Sequence, residues 1–196
     1  MVETMSKEHV VILLVGRTGS GKTSLIKRLC EKTGLRELVS YTTRPPRRNK
    51  KNDDHIFVDM DAYLKAKANN EIAAETEIAG NYYYATKEQL YKADLYTIDP
   101  AGRAGLLALN LPNIRFVTVY ISCPNEERER RVLQRGDDKH TYRVRDHSER
   151  QQFRHFISNE QWDYAICNKD FAKAYSCLRW ISQLEGAWKN KEETES

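Results

Sequence analysis

The chain has 196 residues, with 32 Lys and Arg against 28 Asp and Glu, for a formal net charge of +4. That length suits one domain with a small insertion rather than two full domains, and 40% hydrophobic residues is too many for a wholly disordered chain. No apolar run approaches the roughly 18–20 residues that cross a bilayer, and the N-terminus lacks the form of a signal peptide, so a cytoplasmic protein without membrane contact is expected.

Residues 10–16 (VVILLVG) are a short apolar, β-branched run closed by glycine, which reads as a buried parallel strand. Gly16-Arg17-Thr18-Gly19-Ser20-Gly21-Lys22-Thr23 follows and satisfies G-x-x-x-x-G-K-[ST], with Ser24 next. Glycines let backbone N–H groups converge on phosphate oxygens, and a helix N-terminus adds a positive field there. Lys22 supplies a mobile cation for β- and γ-phosphates, and the Thr23 hydroxyl can ligate Mg²⁺. The competing reading is an incidental glycine-rich turn. Helical spacing over 22–33, with Leu25, Ile26 and Leu29 on one face, weighs against it. A P-loop alone leaves kinases, GTPases and motor ATPases open. Asn168-Lys169-Asp170 is not a GTPase base reader, because its aspartate falls one residue early.

Further along, Arg44 and Arg47 flank two prolines, which hold the backbone stiffly. Rigid guanidinium forks suit bidentate phosphate binding. Arg44, Arg47, Arg48, Lys50 and Lys51 fall together with no acid among them, so this loop is either solvated or faces an anion. Short Tyr, Ile and Val runs over 53–86 predict a small β-containing subdomain, and 94–98 and 115–121 predict two more buried strands. The first of these ends at Asp99-Pro100, where proline predicts a loop. Helical patterns cover about 125–135, 143–157 and 171–185, and a polar tail, Lys189–Ser196, is expected to fray. Strands alternating with helices predict a parallel α/β sheet. Cys30, Cys123, Cys167 and Cys177 show no CxxC pairing and are expected as reduced thiols buried like small hydrophobes.

Five further motifs follow the P-loop in order: Ser40–Arg47, Gly80-Asn81-Tyr82-Tyr83, Ile98-Asp99-Pro100-Ala101-Gly102, the Arg-rich stretch Arg131–Arg145, and Trp162-Asp163-Tyr164-Ala165-Ile166-Cys167-Asn168. From about Val10 to Leu184 the chain thereby resembles the guanylate kinase family, with its S-x-T-T-R-x-P-R, G-N-Y-Y, I-D-x-x-G, Arg-rich lid and Y-D-x-x-[IV]-x-N. The resemblance implies an α/β fold: a P-loop NTPase parallel sheet flanked by helices, a small β-containing monophosphate-binding subdomain and an Arg-rich helical lid. It implies a single domain over 1–196. Its parts would be a core over 8–38 and 90–125, an acceptor-binding subdomain over 39–89, a lid over 126–150, a C-terminal core part over 151–187 and the polar tail over 188–196.

The same resemblance implies a nucleoside monophosphate kinase that moves the ATP γ-phosphate onto GMP or a related monophosphate, with Mg²⁺. Arg44, Arg47 and Tyr83 would hold the acceptor phosphate, Ser40 would lie near its base, and Asp99 near Mg²⁺ or its waters. Arg131, Arg135 and one of Arg143 or Arg145 would close over the transferring group alongside Lys22, and Asn168 would sit by the adenine. For the lid arginines a solvated helix face competes, since residues 126–154 mix nine basic with seven acidic side chains.

Several positions depart from the family pattern. The guanine-reading glutamate is Ala74, with Glu75 adjacent; the hydroxyl after G-N-Y-Y is Ala85, with Thr86 adjacent. His55 stands for a phosphate-side tyrosine, Asn49-Lys50 for Gly-Glu, and Thr97 for an acid. A one-residue shift that recruits Glu75 and Thr86, another acceptor base, or a non-nucleotide acceptor would each account for this. A guanylate kinase-like module that binds phosphopeptides is the alternative function, disfavoured by intact Lys22 and Thr23. Nucleic-acid binding through Arg44–Lys51 is weakest, for want of interleaved aromatics and an extended basic face.

Overall fold

The computed structural model describes residues 8–46, 55–78 and 80–188. Arg47, Arg48, Asn49, Lys50, Lys51 and the tail 189–196 therefore lie outside the described residues. In chain order the elements are β1 (His9–Val15), α1 (Lys22–Thr33), β2 (Glu37–Leu38), β3 (Tyr41–Thr42), β4 (Ile56–Phe57), α2 (Met60–Ala68), β5 (Ile72–Ile78) and β6 (Asn81–Thr86). Then come α3 (Lys87–Lys92), β7 (Leu95–Thr97), α4 (Pro100–Ala108), β8 (Ile114–Ser122), α5 (Asn125–Gln134), α6 (Lys139–Ser158), β9 (Tyr164–Cys167) and α7 (Phe171–Leu184).

Five strands form one sheet in the order β2-β7-β1-β8-β9, every pairing parallel. Its centre is β1, whose near-continuous apolar run marks a strand covered on both faces. Side chains alternate across the sheet. Val10, Ile12 and Leu14 pack with Leu25, Ile26 and Leu29 of α1 and Leu178 and Ile181 of α7. Val11, Leu13 and Val15 pack on the other face with Leu90 of α3, Leu106 of α4 and Phe153 and Phe156 of α6. The expected parallel sheet flanked by helices is the observed one.

A second sheet, β4-β3-β6-β5, pairs β3 with β4 in parallel and β6 with β3 and β5 antiparallel. Helix α2 covers one of its faces, where Tyr63 and Ala66 bury against Tyr84, with Tyr41 and Tyr82 beside them. The other face presents Ala74 and Ala85, which pack into the core shared with β1.

Three sequence expectations differ from the structure. Pro100 does not force a loop: it is the first residue of α4, where a missing N–H is harmless, and Asp99 caps that helix by accepting from Gly102 N at 2.8 Å. The cysteines are not buried. Cys30 and Cys123 are half-buried, while Cys167 lies exposed on the outermost strand β9 and Cys177 on the flank of α7 away from its buried Ala174, Leu178 and Ile181. Helix α6 begins at Lys139, four residues before its apolar spacing becomes legible, because Asp138 caps it through Thr141 N at 2.7 Å. Among the described residues, no helix is long and apolar enough to cross a membrane.

Candidate functional site

The loop from Gly16 to Thr23 joins the buried end of β1 to the first turn of α1. Gly19 and Gly21 have φ of +80° and +91°, the left-handed region that disfavours side chains. A Cβ on Gly21 would also stand 2.3 Å from Asn168 Nδ2. Lys22 folds back onto its own loop, donating to Gly16 O and, at 3.4 Å, to Arg17 O. Desolvation pulls its pKa from 10.5 to about 8, against the opposing charge of Glu149 and Asp99. Thr23 is half-buried in the first turn of α1, with Ser24 exposed after it.

Asn168, expected by the adenine, packs against this loop. It is fully buried, and its Nδ2 donates to Ser20 O at 2.7 Å. Its Oδ1 and the Ser20 Oγ are buried with no hydrogen-bond partner among the described residues.

The loop is further tied to α5 and α6 by side chains that the motif reading missed. Arg128 is 1% exposed, yet its guanidinium donates to Thr18 O at 3.0 Å and Asn125 Oδ1 at 2.6 Å and pairs with Asp146 at 2.8 Å. Arg17 donates to both Asp146 Oδ1 and Asp146 O, at 2.5 and 2.9 Å. Burial opposes ionisation of Asp146, and the hydrogen bond and charge of Arg128, with Arg17 and Arg150, outweigh it and hold the carboxyl below its usual range. Glu149 accepts from Thr18 N at 2.8 Å and from Thr18 Oγ1 at 2.5 Å. The one sequence signal was an arginine at position 128, in register with buried Val132 on the inward stripe of α5.

The expected lid arginines are distributed along α5 and α6. Arg131 pairs with Glu127 at 2.7 Å and reaches Lys169 O at 3.4 Å, and Arg135 pairs with Asp137. Hydrogen bonds from Arg130 and Arg131 hold the half-buried Glu127 carboxyl at about 2. Arg143 and Arg145 point to solvent from α6.

On the second sheet, Arg44 Nε donates to Tyr83 OH at 3.1 Å, with its guanidinium 5.4 Å from the Phe57 ring centre. The His55 ring meets Tyr83 edge-on at 5.2 Å. Ser40 Oγ donates to the buried phenol of Tyr96 at 3.3 Å, and burial pushes that phenol up to about 12. Arg47 lies outside the described residues.

Register decides which side chains share this surface. Ala74 pairs with Ala85 and Thr76 with Tyr83, so these four project from one face. Glu75 and Glu77 pair with Tyr84 and Tyr82 and belong to the opposite face. Glu75 is bound there by Lys67 at 2.9 Å. The expectation that Glu75 joins the Arg44–Tyr83 surface is therefore corrected: a one-residue shift in a strand reverses the face. Thr86 is likewise committed, its side chain capping α3 through Gln89 N at 3.3 Å.

Asp99 connects the two halves. Its Oδ2 accepts from Thr76 Oγ1 at 3.0 Å, on the strand facing Tyr83, while its charge acts on Lys22 of the loop. No cluster of three or more His, Cys, Asp or Glu fit for a metal occurs among the described residues.

The family model described as Guanylate kinase matches residues 8–184. A guanylate kinase of Anaplasma phagocytophilum is 30% identical over 187 residues, covering 90% of this chain and 87% of that protein. One from Nitratidesulfovibrio vulgaris is 33% identical over 183 residues, covering 88% and 86%. The crystal structure of guanylate kinase from Anaplasma phagocytophilum aligns with a TM-score of 0.66 at 25% identity, covering 92% of this chain and 87% of that one.

Proposed function

Because the chain belongs to the guanylate kinase family, we propose that it transfers the γ-phosphoryl group of ATP to a nucleoside monophosphate, GMP or a related one, with Mg²⁺. The observation that carries this reading is Asp99, which acts electrostatically on Lys22 of the phosphate loop and bonds to the strand pair that presents Tyr83 and Arg44. A phosphate loop and an arginine–tyrosine surface joined by one carboxylate suit a donor and an acceptor held side by side.

In this reading the acceptor phosphate oxygen attacks the γ-phosphorus in line and ADP leaves. Little covalent work falls to the protein, so position and converging charge do the catalysis. The loop amides and Lys22 hold the donor phosphates, and Arg44, Tyr83 and Arg47 hold the acceptor phosphate. Arg131, Arg135 and Arg145 supply cations from α5 and α6. We assign the second sheet to acceptor binding and α5 and α6 to a lid whose closure excludes water. Thr23 and Asp99 would hold Mg²⁺, which would neutralise phosphate charge. Asn168 serves by supporting the loop from below.

One observation bears on how a guanine would be read. The surface shared with Tyr83 carries the buried pair Ala74 and Ala85, so no carboxylate from β5 faces a guanine edge there. A coupled assay over all common ribo- and deoxynucleoside monophosphates, with ATP and Mg²⁺, tests both points. Turnover on GMP or dGMP is expected. Turnover solely on another base keeps the chemistry and changes the acceptor; no turnover, with measurable phosphopeptide binding, overturns the kinase reading. Lys22→Ala is expected to lower kcat by about 10²-fold or more, as loss of a preorganised charge does.

A further inference from the structure

Helix α6 brings two carboxylates to the phosphate loop and uses them differently. Asp146 is surrounded by guanidinium groups, with Arg17 at 2.5 Å, Arg128 at 2.8 Å and Arg150 at 3.1 Å. Arg128 also donates to Thr18 O. One carboxylate faces three guanidinium groups in this cluster and its geometry is multidentate, so removing Asp146 strands the buried Arg128. It is a fixed joint between α5, α6 and the loop.

Glu149, nearly one turn further on, accepts from the loop itself, through Thr18 N and Thr18 Oγ1. Thr18 is the third residue of the G-x-x-x-x-G-K-[ST] motif, within a loop whose N–H groups are built to receive anionic oxygens. A carboxylate oxygen and a phosphate oxygen are the same kind of acceptor and cannot share one N–H. Glu149 also supplies the largest favourable charge acting on Lys22, whose ammonium is meanwhile satisfied by the loop carbonyls Gly16 O and Arg17 O. A polyphosphate entering the loop would meet Glu149 as a like charge.

We propose that Glu149 is an intramolecular competitor of the donor nucleotide, a carboxylate latch that seats α6 on the phosphate loop until a polyphosphate displaces it. The inference rests on the donor-site reading above and goes beyond it: donor binding and release of α6 become one event, pivoting on the Asp146 cluster. Because α6 carries Arg143 and Arg145, the nucleotide that opens the latch also frees the helix that must bring those arginines to it.

The test is equilibrium binding of MgATP to the full chain and to E149Q, which keeps the side-chain shape and removes the charge. The dissociation constant is expected to fall about fivefold, with the monophosphate KM unchanged. T18V, which keeps the N–H and removes the hydroxyl that Glu149 engages, is expected to tighten binding to a smaller degree. D146N provides the contrast, since it should lower the thermal midpoint without tightening ATP. If the wild type binds MgATP and neither E149Q nor T18V binds it more tightly, the latch is overturned while the donor site stands. If none of the proteins binds MgATP, the donor reading fails and the latch with it.

Discussion

Lys22 is the residue whose surroundings make the sharpest demand. Desolvation lowers its pKa from 10.5 to about 8, so the ammonium that the proposed donor binding would use is lost as pH rises through about 8. Donor affinity should therefore weaken above that pH, by up to about tenfold per unit until the bound-state pKa is reached. Stability moves the other way. Between about 8 and 10.5 the unfolded chain still binds a proton that the folded one has released, so this group makes the fold more stable as pH rises. Calorimetric titration of MgATP from pH 7 to 9.5, beside thermal unfolding of K22M over the same range, checks both signs. An ATP affinity that stays level across pH 8 would contradict the assignment. Glu149, Asp99, Arg128 and Arg135 all act on this ammonium, so its charge balance is set by three separate segments of the chain.

Helix α4 shows how a boundary can carry both structure and function. Asp99 caps it through Gly102 N while its other oxygen accepts from Thr76. Asp99→Ala should cost about 1 kcal/mol of stability through the lost cap, whereas Asp99→Asn, itself a good cap, should cost little. Activity should fall in both, because each removes the charge beside Lys22; a fully active Asp99→Asn would limit this residue to capping. The same helix marks the limit of reading the sequence. Proline was legible as punctuation, but whether it closes a strand or opens a helix depends on the capping aspartate before it. Long periodic elements such as α1 and α7 were legible from apolar spacing alone. The phosphate loop was legible because its chemistry is local in sequence. Arg128, Asp146 and Glu149 were not, since each gains meaning only from partners that lie far from it in the chain. Proximity in sequence misleads for Glu75, because neighbouring strand residues face opposite ways and its pairing with Tyr84 puts it on the far side from Ala74 and Tyr83.

At the scale of the whole molecule, Thr76 Oγ1 donates to Asp99 Oδ2 between the loop and the Arg44–Tyr83 surface, joining the second sheet to the main one. Gln89 Nε2, donating to Val39 O at 2.9 Å, ties the far end of the same sheet. The apolar contact of Ala74 and Ala85 in the shared core and the Thr76 hydrogen bond set the second sheet against the main one. Thr76→Val keeps the β-branched shape on β5 and deletes only the hydroxyl, so the strand and its pairing should persist with a stability loss of about 1 kcal/mol. If registration of the two sheets places the acceptor, the monophosphate KM should rise about fivefold while the MgATP dissociation constant stays fixed. Parallel losses in both would mean that the hydroxyl supports the phosphate loop instead, and that the two halves are placed by their apolar contact alone.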